Sequence, residues 1–127
     1  MEKKTILLVD DEKSVRLLCR EVLNEEGYDM IEAEDGLDAI RKIEEKNPDL
    51  VILDIRMSRM DGMEALPQIL RKKRDVPVIL YTGYSQYQKD FMTWAADAYV
   101  VKSSDLTELK KKIQELLSGR SPDGNTQ

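Results

Sequence analysis

The sequence contains no histidine, a single cysteine and no long hydrophobic run. Without histidine, the chain has no imidazole to bind a metal, to act as a general base or to carry a phosphoryl group. The single cysteine, Cys19, allows no internal disulfide and suits a reducing compartment. The apolar runs "ILLV" and "LVIL" are too short to span a bilayer, and the first residues lack a signal-peptide core. We therefore expect a cytoplasmic protein that does not contact a membrane.

The charge balance is mildly acidic, with a net charge of −5. A general nucleic-acid-binding surface would be basic, so direct nucleic-acid binding by this domain is not expected. The basic cluster "RKKR" at 71–74 is explained by the preference for cations at the C-terminal end of a helix. The remaining candidates for chemistry are carboxylates, hydroxyls, lysine and arginine.

Short apolar runs alternate with amphipathic segments along the chain. The apolar runs predict five strands, at 5–10, 28–33, 49–55, 76–82 and 98–101. Helical spacing predicts five helices: 13–26, a second that ends before Asn47-Pro48, a third capped by Asp61 and Glu64 with a bend at Pro67, a fourth at 85–95, and a fifth from near Ser104 to Gly119. This alternation predicts an α/β fold with an open, doubly wound, five-stranded parallel sheet of the flavodoxin-like type.

Polar side chains follow four of the predicted strands at their carboxyl ends, where open α/β sheets have their functional crevice. Asp10 and Asp11 follow the first strand, Asp54 the third and Lys102 the fifth, while Thr82 ends the fourth. Neighbouring carboxylates repel unless a cation neutralises them, and an all-oxygen ligand set suits Mg²⁺. These residues predict that Asp54 accepts a phosphoryl group, that metal and Lys102 neutralise the transferred oxygens, and that Thr82 donates a hydrogen bond to the product.

The segments "LLVDDE", "LDIRMSRMDG", "YTG" and "AYVVKS" resemble, in order and spacing, the signature blocks of the receiver (response regulator) domain of two-component signal transduction. The resemblance implies a strand order of 2-1-3-4-5, a receiver domain over residues 1–119, and a flexible tail or linker start at 120–127. It implies that Asp54 is the phospho-acceptor. It also implies Mg²⁺ ligation by Asp11 and Asp54 directly, by Asp10 largely through water, and by the backbone carbonyl of Arg56.

The resemblance assigns roles to the remaining site residues as well. Lys102 would pair with the phosphoryl group, and Thr82 and Tyr99 would form the conformational switch. The domain would be a phosphoprotein of a signalling relay and no enzyme, although it takes part in its own Mg²⁺-dependent phosphorylation and dephosphorylation. Its partners would be a histidine kinase or histidine phosphotransfer protein, and a downstream protein target or effector domain. The alternative is a receiver-like docking module that is never phosphorylated.

Some positions depart from the usual pattern of this family. Ser58 and Ser103 stand where most members have proline, and Ser58 predicts a more flexible loop after Asp54. A cis bond before a non-proline residue costs about 3 kcal/mol, so we expect a trans peptide after Lys102. Arg56 occupies the place where a phosphatase of the haloacid-dehalogenase type needs its second acid, which argues against that class. Aromatic residues of the predicted fourth helix, Phe91 and Trp94, either pack inside or mark a partner surface.

Overall fold

The computed structural model of the chain describes residues 3–72, 75–84, 86 and 95–118. Its strands are β1 (Thr5–Val9), β2 (Asp29–Ala33), β3 (Leu50–Leu53), β4 (Val78–Thr82) and β5 (Ala98–Val101). Its helices are α1 (Lys13–Glu25), α2 (Gly36–Lys46), α3 (Gly62–Lys72) and α4 (Thr107–Leu117). The strands form one sheet of order β2-β1-β3-β4-β5, in which every neighbouring pair is parallel. The predicted fold class and strand order are therefore confirmed.

Alternating side chains of the central strands build two separate cores, one on each face of the sheet. Leu7 and Val9 of β1 belong to one core, and Ile6 and Leu8 to the other. The first core is completed by buried residues of α2 and α3, namely Ala39, Ile43, Ala65, Leu66 and Ile69. The second is completed by α1 and α4 through Cys19, Leu23, Leu109 and Ile113. Because both faces are covered, β1, β3 and β4 are apolar at successive positions.

The helix ends follow local signals in the sequence. Gly27 has φ of +100° and its N–H donates to the Asn24 carbonyl, so it stops α1 in a conformation that suits glycine. Asn47 ends α2 with φ of 50°. The predicted capping box at α3 is present: Asp61 N–H donates to Glu64 (3.2 Å), and Glu64 N–H donates to Asp61 (3.1 Å).

The last described helix begins later than the predicted start near Ser104. Its first residue is Thr107, whose N–H donates to the Asp105 carboxylate at 2.9 Å. The Thr107 hydroxyl donates to the same carboxylate, and this hydrogen bond together with that of the N–H lowers the pKa of Asp105. Because Asp105 turns the chain immediately before α4, residues 104–106 connect β5 to the helix and do not form its first turn.

Two predictions concern residues outside the described ranges. One is the predicted fourth helix at 85–95, which includes Phe91 and Trp94 and of which only residues 86 and 95 are described. The other is the tail at 120–127. Four helices are seen in the described part of the chain, and the last of them, α4, corresponds to the predicted fifth helix, so the predicted fourth helix stays a prediction. Among these helices, none is both long and apolar enough to cross a membrane.

Candidate functional site

The carboxyl ends of four parallel strands bring the predicted site residues to one edge of the sheet. Val9 is paired with Leu53 in the register of β1 and β3, so Asp10 and Asp54, the residues that follow, lie side by side. On the other side of β3, Thr82 is the last residue of β4. The peptide N–H of Lys102, just past β5, donates to the Thr82 carbonyl at 2.7 Å.

Asp10, Asp11 and Asp54 form one carboxylate cluster. Each offers an oxygen such that the three oxygens lie within 4.8 Å of one another. Asp10 and Asp54 are buried, whereas Asp11 is exposed. Charged carboxylates at this separation repel strongly, so the fold must compensate them.

Each carboxylate of the cluster accepts a backbone N–H. Asp10 Oδ1 accepts from Glu12 at 2.9 Å, and Asp54 Oδ1 accepts from Ile55 at 2.8 Å. Asp11 Oδ2 accepts from Ser58 at 3.1 Å, across 47 residues of chain. These bonds fix one oxygen of each carboxyl group.

Lys102 supplies the positive charge of the cluster. Its Nζ lies 2.7 Å from Asp10 Oδ2, 3.0 Å from Asp54 Oδ2 and 3.4 Å from Glu12 Oε1. Burial opposes the charged form of Lys102, but the carboxylates of Asp10 and Asp54 outweigh burial and raise its pKa. The ammonium group is therefore fully charged at neutral pH.

One ammonium group does not balance the cluster. Burial raises the pKa of Asp10 in spite of the neighbouring lysine, so the charged carboxylate is costly in this structure. Apart from its ion pair with Lys102, buried Asp10 Oδ2 has no hydrogen-bond partner among the described residues. An under-satisfied oxygen, two further carboxylates and an exclusively oxygen donor set fit a divalent cation such as Mg²⁺.

A cleft of about 450 Å³ opens over the cluster, lined by Asp11, Glu12, Asp54, Arg56, Gly83, Tyr84 and Lys102. The Arg56 guanidinium carbon lies 4.9 Å from the centre of the Tyr84 ring, so these two side chains form one wall. The cleft is large enough to admit a small phosphorylated group to Asp54.

The two predicted switch residues meet at Tyr84. Thr82 is fully buried, and its Oγ1 accepts the Tyr84 N–H at 3.4 Å. The Tyr99 hydroxyl donates a hydrogen bond to the Tyr84 carbonyl. A change at either side chain therefore acts on the same peptide segment after β4.

Two residues near the cluster were not predicted from the sequence. Glu12 directly follows the acid pair and contacts Lys102, which its position next to Asp11 could have suggested. Arg16 donates from Nη1 to the Asp10 carbonyl at 2.6 Å and from Nε to Glu32 Oε1 at 3.2 Å. The Arg16 contact depends on the packing of α1 against β2, and no local pattern signals it.

The family model of the response regulator receiver domain matches residues 6–114. The chain belongs to this family. The crystal structure of response regulator protein TrrA from Thermotoga maritima, in complex with Mg²⁺-BeF, is similar with a TM-score of 0.87 and 50% identity. The similarity covers 90% of this chain and 99% of that chain. A structure of TrrA in complex with the histidine kinase ThkA gives a TM-score of 0.84, also at 50% identity, and covers 90% of this chain and 98% of that chain.

Curated relatives that match this chain differ in how much of their length the match covers. It is 38% identical over 119 residues to the probable transcriptional regulator ycf27 of Porphyridium aerugineum, covering 92% of this chain and 49% of the relative. It is 32% identical over 123 residues to sporulation initiation phosphotransferase F of Bacillus subtilis, covering 95% of this chain and 99% of the relative. The chain thus spans about half the length of several curated relatives and nearly all of another.

The structure brings the predicted residues Asp10, Asp11, Asp54 and Lys102 together around one cleft. The peptide between Lys102 and Ser103 is trans, as expected. The roles of the individual residues, including metal ligation by the Arg56 carbonyl, stay predictions at this point.

Proposed function

We propose that this receiver domain accepts a phosphoryl group on Asp54 from the phosphohistidine of a histidine kinase or histidine phosphotransfer protein. The observation that carries the proposal is the position of Asp54. Its buried carboxylate lies at the end of the central strand β3, lines the cleft and contacts Lys102 at 3.0 Å. The complex of TrrA with the kinase ThkA supports the class of partner.

The transfer forms a bond from an Asp54 carboxylate oxygen to phosphorus and breaks the bond from phosphorus to the imidazole nitrogen of the donor. The electron pair of the broken bond stays on that nitrogen, and the product is an aspartyl phosphate. The rigid strand end and the hydrogen bond from Ile55 N–H keep the attacking group in place. Lys102 would move from the free carboxylate to the oxygens of the transferred group, which need the positive charge.

Asp10, Asp11, Asp54 and the backbone carbonyl of Arg56 are the groups that would hold Mg²⁺. When bound, the ion would neutralise the negative charge of the phosphoryl oxygens. The Mg²⁺-BeF complex of TrrA supports this assignment, as does the unbalanced charge of the carboxylate cluster. The protein's part is to hold the acids at the required separation and to keep Lys102 charged.

Signal output would begin at Tyr84. A phosphoryl group on Asp54 offers new acceptor oxygens to the Thr82 hydroxyl, and a Thr82 that turns towards them withdraws its Oγ1 from the Tyr84 N–H. Tyr99, which donates to the Tyr84 carbonyl, would then change its partner too. The changed surface would be read by a downstream protein or effector domain, and the proposed place of signalling is the cytoplasm.

The experiment is incubation with acetyl phosphate and Mg²⁺, followed by intact-protein mass spectrometry. The wild type should gain the mass of one phosphoryl group, and the Asp54→Asn variant should gain none. Asp29→Asn is the matched control, because Asp29 is an exposed aspartate at the opposite end of the sheet. It should be phosphorylated like the wild type.

Chelation of Mg²⁺ by EDTA should abolish the adduct in the wild type and in the Asp29→Asn control. An adduct that persists in Asp54→Asn, or one that forms equally well with EDTA, would contradict the proposal. A folded wild type that forms no adduct would favour the unphosphorylated docking module.

A further inference from the structure

The three clustered carboxylates are fixed in two different ways. Asp10 and Asp54 accept N–H groups from residues one or two positions away, so the strand ends themselves supply these bonds. Both side chains are also buried. Asp11 is exposed, and its backbone donor is Ser58, on the loop between β3 and α3. The orientation of Asp11 therefore depends on a tertiary contact.

The loop that carries Ser58 is anchored at both sides of this contact. Gly62 N–H donates to the Ile55 carbonyl at 2.7 Å, which closes the loop on itself. Gly36 N–H donates to the Met60 carbonyl at 3.0 Å, and Arg59 pairs with Asp35 at 2.9 Å, which ties the loop to the start of α2. These bonds hold the Ser58 N–H in position for the Asp11 carboxylate.

We propose that Ser58 is a positioning residue of the metal site and that it acts through its backbone N–H. The N–H holds one oxygen of Asp11, so that the carboxyl group stays turned towards Asp10 and Asp54 before a divalent cation binds. Without this bond, the exposed Asp11 side chain would be free to take other rotamers, and metal binding would have to restrict it. This inference rests on the proposed Mg²⁺ site, and it links metal affinity to the conformation of the β3–α3 loop.

Two variants of the same position isolate the N–H. Ser58→Pro and Ser58→Ala both lack the hydroxyl, but only Ser58→Ala keeps the backbone donor. Titration of each metal-free variant with Mg²⁺ by isothermal titration calorimetry should show weaker binding for S58P than for S58A. The expected difference is roughly threefold to tenfold in the dissociation constant, as for one solvent-accessible hydrogen bond. Equal or tighter binding by S58P would overturn the proposal.

Proline also restricts the residue before it, so a second measurement must separate that effect from the lost bond. The four variants S58A, S58P, D11A/S58A and D11A/S58P form a double-mutant cycle, measured by urea unfolding in metal-free buffer. The ratio of the unfolding equilibrium constants of S58P and S58A should be larger when Asp11 is present than in the D11A background. We expect the two ratios to differ by roughly threefold or more. The same factor in both backgrounds would show that the two residues are not coupled, and would overturn the proposal.

The two measurements also distinguish this inference from the proposed function. If S58A and the wild type both fail to bind Mg²⁺, the proposed metal site is wrong, and the inference built on it fails with it. If both bind Mg²⁺ and S58P binds equally well, the metal site stands and the role of Ser58 is refuted.

Discussion

Replacing Gly62 by alanine would create a steric clash with the backbone of Asp54, the proposed phospho-acceptor, and of Ile55. Gly62 is buried at the start of α3, and an added Cβ would lie 2.2 Å from the Asp54 carbonyl oxygen and 2.9 Å from the Ile55 Cα. Both neighbours are backbone atoms, so no side-chain rotation relieves the overlap, and the helix or the strand end must move by roughly an ångström. Overpacking of this kind costs up to about 3 kcal/mol. Alanine recovers at most about 1 kcal/mol through its higher helix propensity.

We therefore expect Gly62→Ala to lower the free energy of unfolding by about 2 kcal/mol. The assay is urea denaturation followed by far-ultraviolet circular dichroism. Gly83→Ala is the matched control, because a Cβ there would meet no atom within 4 Å. Its stability should stay within about 0.5 kcal/mol of the wild type. Equal stability of the two variants would refute the proposed close approach of α3 to the acceptor strand.

Three further predictions concern charges. Asp61→Ala should cost about 1 kcal/mol of stability in thermal or urea unfolding, because α3 loses its capping box with Glu64. Lys102→Gln should lower the free energy of unfolding by roughly 2 kcal/mol at pH 7 in metal-free buffer, since Asp10 and Asp54 lose their cation. Because Asp10 and Asp54 raise the folded-state pKa of Lys102, the difference in free energy of unfolding between the wild type and Lys102→Gln should be complete from neutral pH up to 10.5, the ordinary pKa of lysine. It should vanish as pH rises through the folded-state pKa. Asp10→Asn should raise the free energy of unfolding at pH 7, because burial raises the pKa of Asp10 and its charge opposes folding there. The gain should shrink as pH falls through the raised folded-state pKa and disappear below pH 3.8, the ordinary pKa, where the carboxyl group is protonated in both states; calorimetry at each pH measures it.

The fold was predictable because local patterns and tertiary packing agree along most of the chain. The apolar runs became strands at nearly the predicted bounds, and Gly27 and Asn47 ended helices as their backbone preferences suggest. Periodicity was less informative about which helix positions are covered. Leu18 and Leu37 continue the apolar pattern of their helices, yet they are 43% and 49% exposed. Ala39, in contrast, is fully buried in the core beside the sheet, and periodicity alone does not show this.

The site was predictable to the extent that it depends on the ends of parallel strands. Strand order brings Asp10, Asp54 and Lys102 to one edge, so their grouping follows from topology. The backbone donors that orient the acids could not be predicted, because any residue type offers the same N–H. The bond from Ser58 to Asp11 depends on the path of a loop with no regular structure.

The position of the phosphoryl group tests the assigned chemistry most directly. Borohydride reduces an aspartyl phosphate to homoserine, which marks the modified residue permanently for peptide mass spectrometry. After incubation of the wild type with acetyl phosphate and Mg²⁺, the mark should be found at position 54 alone. A mark at Asp10 or Asp11, or at no aspartate of a folded protein, would contradict the role of Asp54 as acceptor.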